Sequence, residues 1–175
     1  LGPQLALDAV VADPRTWCLI VLYAACFGIE LTIDNIAHLY FENKTYFAMT
    51  IATAGWAAFS FGGLNLFARA LGGFFSDRMN ARMGLTGRVY FLFLAILLEG
   101  LSMMLFSQMY STGPMLVSFM VFGLFVCMSC GAVYGVVPFV NKDAVGSVSG
   151  ILGAGGNVGA VLAGFLFGAV DWHHS

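Results

Sequence analysis

The chain has 175 residues, of which 60% are apolar and only 9% are Asp, Glu, Lys or Arg, whereas about 25% of the residues in an ordinary soluble domain are charged. This composition argues against a soluble enzyme, and the net charge of −2 excludes a basic surface for nucleic acid. The apolar residues form blocks long enough to cross a hydrocarbon layer of ~30 Å. Because the blocks lack the alternation of barrel strands, they predict an all-α integral membrane protein.

Five apolar stretches are predicted to be transmembrane helices, at about residues 16–40, 46–75, 89–106, 114–140 and 145–170. The polar connections between them are short, which leaves no room for a soluble domain. They lie at residues 41–45, 77–88, 107–113 and 141–144.

Basic residues predict the orientation, because short loops rich in Lys and Arg stay on the cytoplasmic side. Under alternating spans, one side carries Arg15, Arg78, Arg82, Arg88 and Lys142. The other side carries Lys44. We therefore expect residues 1–15 to be cytoplasmic. The odd number of helices and the absence of a signal peptide lead us to expect an internal fragment.

The first span carries a stripe of aromatic and ionisable side chains. Tyr23, Phe27, Glu30, Asp34 and His38 are spaced by three or four residues, so they share one helix face. Ionisable groups cost at least ~2.5 kcal/mol each at the centre of a span, and such a face is not expected to meet lipid. Glu30 and Asp34 are candidates for proton binding. The alternative is that Asp34 and His38 lie near the outer interface and reach water.

The second span carries a permanent positive charge on a face of small and polar residues. That face consists of Ala58, Gly62, Asn65, Arg69, Gly73 and Ser76. The planar guanidinium of Arg69 has five donors, and an anion is its natural complement. The alternative is that Arg69 extends along the helix to the headgroups near Asp77.

The fifth span is dense in glycine on two faces. One face contains Gly146, Gly150, Gly153, Asn157, Ala160, Gly164 and Gly168. Gly155 and Gly159 lie on the opposite face, so we expect tight packing on both faces. The amide of Asn157 can donate to an oxyanion, with helix packing alone as the alternative.

The remaining candidates are few. Glu99 is the lone acid of the third span and is weighed equally as a structural partner and a proton site. Cys127 and Cys130 form a Cys-x-x-Cys pair without a second pair or nearby histidines, so we expect packing cysteines and neither a metal nor a cofactor. Residues 43–45 form a glycosylation sequon too close to the membrane for occupancy, and His173 and His174 are expected to be loop residues.

Three segments resemble a known family. Residues 73–82, GFFSDRMNAR, resemble the GxxxDR motif that follows helix eight in the major facilitator superfamily, although the usual Gly-Arg-Arg is degraded. Residues 65–73, NLFARALGG, and residues 153–160, GAGGNVGA, resemble the arginine segment of helix eight and the second nitrate signature of the nitrate/nitrite porter family. Residues 30–35, ELTIDN, and residues 130–140, CGAVYGVVPFV, are similar to its eukaryotic high-affinity members.

The resemblance implies a major facilitator fold with twelve helices, of which this chain would supply helices seven to eleven. Residues 16–175 would be a partial C-terminal half. In the family, nitrate or nitrite binds between one arginine from each half. Arg69 would be the arginine of this half, and the other matching residues are Tyr23, Phe27, Gly153, Gly156 and Asn157. Gly73, Asp77, Arg78 and Arg82 would form the conformational motif.

The resemblance also implies partners and a location. These are nitrate or nitrite, protons, the lipid bilayer of the plasma membrane, the N-terminal half and, as in some family members, a small accessory membrane protein. The expected function is proton-coupled nitrate symport by alternating access. The alternatives are a facilitator for another small or organic anion and a non-transporting nutrient receptor. An enzyme is not expected, because no motif of an intramembrane enzyme is present.

Overall fold

The computed structural model describes residue 8, residues 10–42 and residues 49–168. These residues contain five long helices, named here α1 (Pro14–Glu42), α2 (Ile51–Met83), α3 (Leu85–Ser107), α4 (Thr112–Val140) and α5 (Val145–Gly168). All five are long and apolar enough to cross a membrane. No strand occurs in the described part, so the predicted all-α membrane fold with five transmembrane helices is confirmed. The sequon at residues 43–45 and the two histidines near the end lie outside the described residues.

The predicted helix ends on either side of the polar connection at residues 77–88 are wrong, because this connection is itself helical except at Gly84. Helix α2 continues through these polar residues to Met83, and α3 begins at Leu85, so Gly84 alone separates them. Gly84 has a φ of 63°, which glycine adopts readily, and its N–H donates to the carbonyl oxygen of Asn80 at 2.8 Å. Hydropathy locates the end of the apolar run, whereas the helix extends beyond it in polar residues.

Helix α4 lies at the centre of the bundle and packs against the other four helices. Small residues allow this close approach. A Cβ added at Gly72 would overlap the backbone of Met128, and one added at Gly131 would overlap the backbone of Arg69. These contacts fix the height of α2 relative to α4, and therefore the position of Arg69 in the bundle.

The first and fifth helices pack closely through glycine. A Cβ on Gly28 would lie 2.8 Å from the backbone nitrogen of Ala160, and one on Gly159 would lie 2.7 Å from the backbone of Ala24. The opposite face of α5 is open, because added Cβ atoms at Gly146, Gly150, Gly153, Gly164 and Gly168 would have no neighbour within 4 Å. The expected tight packing is confirmed for the face that α1 covers. None of the described helices covers the other face, where tight packing stays a prediction.

The start of α1 is tied to the end of α4. Arg15 donates through Nη2 to the carbonyl oxygen of Val140 at 3.3 Å, and its guanidinium pairs with Asp13 at 2.6 Å. The hydrogen bonds from Arg15 lower the pKa of Asp13, which precedes the helix. Because this pair is exposed, it contributes little to stability.

Candidate functional site

A buried carboxylate and an arginine meet between α1, α2 and α4. Glu30 is 1% exposed, and Nη2 of Arg69 donates to both of its carboxylate oxygens at 2.8 Å. The Asn65 amide donates to Oε1, and the Cys130 thiol lies 3.3 Å from Oε2. Each oxygen of Glu30 therefore has partners, as a buried charge requires.

The guanidinium of Arg69 is held on one side and open on the other. Its Nε donates to Oδ1 of Asn65 at 2.6 Å, one turn earlier on the same helix. Its Nη1 has one long contact, 3.5 Å to the Tyr23 hydroxyl, and its Cζ lies 5.2 Å from the centre of the Phe27 ring. The side chain is 32% exposed. Since Arg69 turns toward Asn65, it points away from Asp77, and the alternative in which it extends toward that end of the helix is wrong.

Two aromatic rings form a wall beside this guanidinium. The rings of Tyr23 and Phe27 are stacked, with centroids 5.0 Å apart and planes inclined by 7°. Tyr134 meets Tyr23 edge to face at 5.1 Å. A Cβ added to Gly156 would lie 2.6 Å from Cδ1 of Phe27 and 2.8 Å from Cε1 of Tyr23. Gly156 therefore provides the space in which the two rings stack.

Asn157 and Gly153 do not contact Arg69, Tyr23 or Phe27 in the described structure. Asn157 is exposed, and its Nδ2 donates to the carbonyl oxygen of Gly153 at 2.9 Å, within α5. An added Cβ at Gly153 would meet no atom within 4 Å. Among the described residues, both lie on the open face of α5 and neither has a hydrogen bond to Arg69.

The other predicted proton sites differ in their surroundings. Asp34 and His38 are exposed in the described bundle. Glu99 is 6% exposed, and its Oε2 has no hydrogen-bond partner among the described residues. Ser129 of α4, whose hydroxyl is also without a partner there, lies close to Glu99. Glu30, in contrast, forms an ion pair with the guanidinium of Arg69.

A second arginine pair occurs where α2 turns into α3. Nη2 of Arg88 pairs with Asp77, Nη1 donates to Ser76 at 3.2 Å, and Cζ lies 5.0 Å from the Phe139 ring centre. Gly135 leaves space for this arginine, because an added Cβ would lie 2.9 Å from Nη1. Sequence reasoning counted Arg88 only as a topological charge. The pairing of residues 77 and 88 could not be predicted from their spacing, because it depends on two helices that meet at Gly84 in place of a loop.

The other members of the predicted conformational motif are solvent-facing or open. Arg78 and Arg82 are exposed, and an added Cβ at Gly73 would meet no atom within 4 Å. The cysteines are free: Cys26, Cys127 and Cys130 are buried and Cys18 is exposed. No group of three metal-ligating side chains occurs in the part of the chain that the structure describes.

Five helices that can span a membrane, with an ion pair and a partly open guanidinium among them, are typical of a membrane transport protein. The chain is 43% identical over 157 residues to high affinity nitrate transporter 2.5 of Arabidopsis thaliana, a match that covers 90% of this chain and 31% of that protein. It is 40% identical over 162 residues to high-affinity nitrate transporter 2.3 of Oryza sativa subsp. japonica, covering 92% of this chain and 31% of that protein.

A more distant relative carries the second substrate in its name. The nitrate/nitrite transporter NrtP of a Picosynechococcus species is 32% identical over 142 residues, which cover 79% of this chain and 25% of that protein. No family model matches the chain, and no solved structure does. These similarities support the nitrate/nitrite porter family of the major facilitator superfamily, which the motifs predicted, and the chain spans about a third of the length of the relatives it matches most fully.

Proposed function

We propose that the complete protein transports nitrate or nitrite across the plasma membrane and has no enzymatic activity. The five helices of this chain would form most of the C-terminal half, within residues 16–175, and residues 1–15 would be cytoplasmic. The bilayer surrounds the helices, and a small accessory membrane protein is a further proposed partner. This function rests on the described ion pair and on the relatives, whose names specify nitrate or nitrite.

The observation that carries the proposal is the open side of Arg69. Its guanidinium lies midway along a spanning helix and is about a third exposed, yet among the described residues its Nη1 has a single contact, at 3.5 Å. Its Nη2 and Nε are satisfied by Glu30 and Asn65, whereas the N–H groups of Nη1 are available to an anion. Nitrate is planar, singly charged and weakly hydrated, so planar N–H donors can replace its water.

The aromatic wall favours a flat anion. Because Tyr23 and Phe27 are parallel and Arg69 lies over the Phe27 ring, an anion bound to Nη1 would meet ring surface as well as donors. Gly156 permits this arrangement. Gly153 and Asn157 would act from the open face of α5, where the other half of a facilitator would approach with its own arginine.

Proton symport is the mechanism that we propose for uptake. The membrane potential opposes entry of an anion by ~2.3 kcal/mol per charge per 100 mV, and co-transported protons can overcome it. The candidate proton sites in this chain are Glu30, Asp34 and Glu99. Glu30 is the one that contacts the proposed anion-binding arginine.

Uptake by the complete protein tests the proposal. We would express it in cells without nitrate uptake and measure entry of ¹⁵N-nitrate in the presence of unlabelled nitrite, phosphate or acetate. We expect nitrate entry that nitrite inhibits and that phosphate and acetate do not. Preferential acetate entry would identify an organic-anion facilitator, and nitrate binding without entry would identify a receptor; either result would contradict the proposal.

A further inference from the structure

Arg69 can pair with either of two anions, the carboxylate of Glu30 or the transported anion. We propose that Glu30 and the transported anion compete for Arg69, so that the anion binds when a proton neutralises Glu30. This inference rests on the proposed function, because it takes the transported solute to be an oxyanion at Arg69. It assigns the coupling of proton and anion to one residue pair.

The first step is the exclusive pairing of Glu30. Its carboxylate is almost fully buried, and Arg69 is the one basic side chain with which it forms an ion pair in the described part of the chain. Asn65 and Cys130 add neutral hydrogen bonds but no charge. A buried carboxylate that loses its only cation is strongly destabilised.

The second step is a count of charges. The pair of Arg69 and Glu30 is neutral, so a nitrate bound at Nη1 would leave a net negative charge beside a buried carboxylate. A proton on Glu30 restores neutrality, because Arg69 then has the transported anion as its counter-ion. The site is therefore neutral either with the ionised carboxylate alone or with the proton and the anion together.

The third step is the movement of donors. A proton taken up from the bulk solution forms an O–H bond on a Glu30 oxygen, and the N–H groups of Nη2 that donated to the carboxylate become available to the anion. Asn65 accepts from Nε at 2.6 Å, a contact that does not involve Glu30 and that would hold the guanidinium near the Phe27 ring in either state. Asn65 is thus a positioning residue for the exchange.

Neighbouring titratable groups do not replace the arginine. The acidic and thiol or phenol groups around Glu30 are Tyr23, Cys26 and Asp34 of α1, Cys127, Cys130 and Tyr134 of α4, and Glu99 of α3. None of these can carry a positive charge, and α5 has no titratable side chain within Val145–Gly168. The basic residues of α1 and α3 are elsewhere: Arg15 and Arg88 pair with Asp13 and Asp77, and His38 is exposed two turns beyond Glu30. Arg69 is therefore the cation that a proton on Glu30 releases.

Thermodynamic linkage makes the competition measurable. If the anion prefers the protonated site, the anion must raise proton affinity by the same factor by which the proton raises anion affinity. Wherever nitrate binding is accompanied by proton uptake, the nitrate Kd should rise with pH, by up to about tenfold per pH unit for one proton. Each nitrate bound there should bring up to about one proton with it.

The experiment uses the purified complete protein in weakly buffered detergent solution. Nitrate binding and proton uptake are measured together between about pH 5 and 8, the latter with an indicator dye. We expect Glu30→Gln, which resembles the protonated side chain, to bind nitrate with a Kd that is independent of pH and to take up no proton. Asp34→Asn and Glu99→Gln test the two other candidate proton sites, and the competition at Glu30 predicts that both variants retain both effects. Asp143→Asn is the control, since that carboxylate is exposed in the connection between α4 and α5.

The outcomes separate this inference from the proposed function. Nitrate binding by the unsubstituted protein without pH dependence or proton uptake would overturn the competition and leave nitrate transport intact. Retained pH dependence in Glu30→Gln would also overturn it, as would loss of proton uptake in Asp34→Asn or Glu99→Gln. If Glu30→Gln does not fold, the last two variants decide. Absence of nitrate and nitrite binding at every pH would overturn both proposals.

Discussion

Two of the three arginine–carboxylate pairs in the described residues are opposite in burial. In the pair between α1 and α2, the carboxylate of Glu30 is buried and the guanidinium of Arg69 is partly open. In the pair at the turn from α2 to α3, the guanidinium of Arg88 is 10% exposed and the carboxylate of Asp77 is 68% exposed. Both guanidinium groups lie over a phenylalanine ring.

This difference supports the proposal that Arg69 binds the anion and that Arg88 is structural. An anion from solution can reach Arg69 because the open end of the pair is the cation. At the other pair the open end is an anion, which would repel nitrate, while Arg88 is enclosed by Ser76 and the Phe139 ring. We infer that the first pair exchanges partners and that the second fastens the turn between two helices.

The largest expected effect is on stability at the second pair. Asp77→Asn leaves the buried Arg88 without a counter-charge and should lower the free energy of unfolding by about 3 kcal/mol. Arg88→Met leaves an aspartate that water solvates, so its effect should be nearer to about 1 kcal/mol. Thermal unfolding of the purified complete protein compares the two. Equal losses would mean that the difference in burial has no energetic consequence.

A smaller effect is expected for anion binding at the first pair. Arg69→Lys replaces a planar fork by a point charge and should weaken nitrate binding by about 2 kcal/mol, or roughly 30-fold, with normal membrane insertion. Arg88→Lys is the matched control and should change the nitrate Kd by less than about twofold. A similar loss in both variants would contradict the separation of binding and structural arginines.

The aromatic wall gives the next effect. Gly156→Ala places a methyl group against both rings and should weaken nitrate binding by about 1 kcal/mol, because the stacked pair must shift. Gly164→Ala adds the same group on the open face of the same helix, where it meets no atom of the described residues within 4 Å, and should leave the Kd within about twofold. Gly156→Leu should abolish nitrate binding, because the larger side chain would occupy the space of both rings. Identical behaviour of the two alanine variants would remove the wall from the site.

The smallest effect is expected at the Tyr23 hydroxyl. Its contact with Nη1 of Arg69 is 3.5 Å, longer than a good hydrogen bond, so Tyr23→Phe should weaken nitrate binding by about 0.5 kcal/mol. Phe27→Ala should have the larger effect, since it removes the ring beneath the guanidinium. Equilibrium binding of labelled nitrate compares the two variants. A larger loss of affinity in Tyr23→Phe than in Phe27→Ala would contradict this prediction.

The helices were predictable because the bilayer imposes length and hydropathy on each span. The end of α2 was not, since Asp77 and the polar residues after it continue the helix beyond the apolar run. Periodicity placed Glu30 and Arg69 on the polar faces of their own helices. It could not pair them, because the contact depends on how α1 and α2 pack against α4.

The glycines show the same limit. The density of glycine on α5 predicted close packing, but only the structure shows that Gly155, Gly156 and Gly159 face α1 while Gly153 is open. The family resemblance grouped Gly153, Gly156 and Asn157 as one signature. In the bundle, Gly156 supports the aromatic wall, and the other two remain predictions for the open face.

The most direct test of the central claim is the structure of the complete protein with nitrate bound, compared with the same protein without nitrate. We predict density for a planar anion at Nη1 of Arg69, beside the Phe27 ring, with the contacts from Nη2 to Glu30 lengthened. Nitrate bound elsewhere, with Arg69 and Glu30 still paired at 2.8 Å as they are here, would contradict the account.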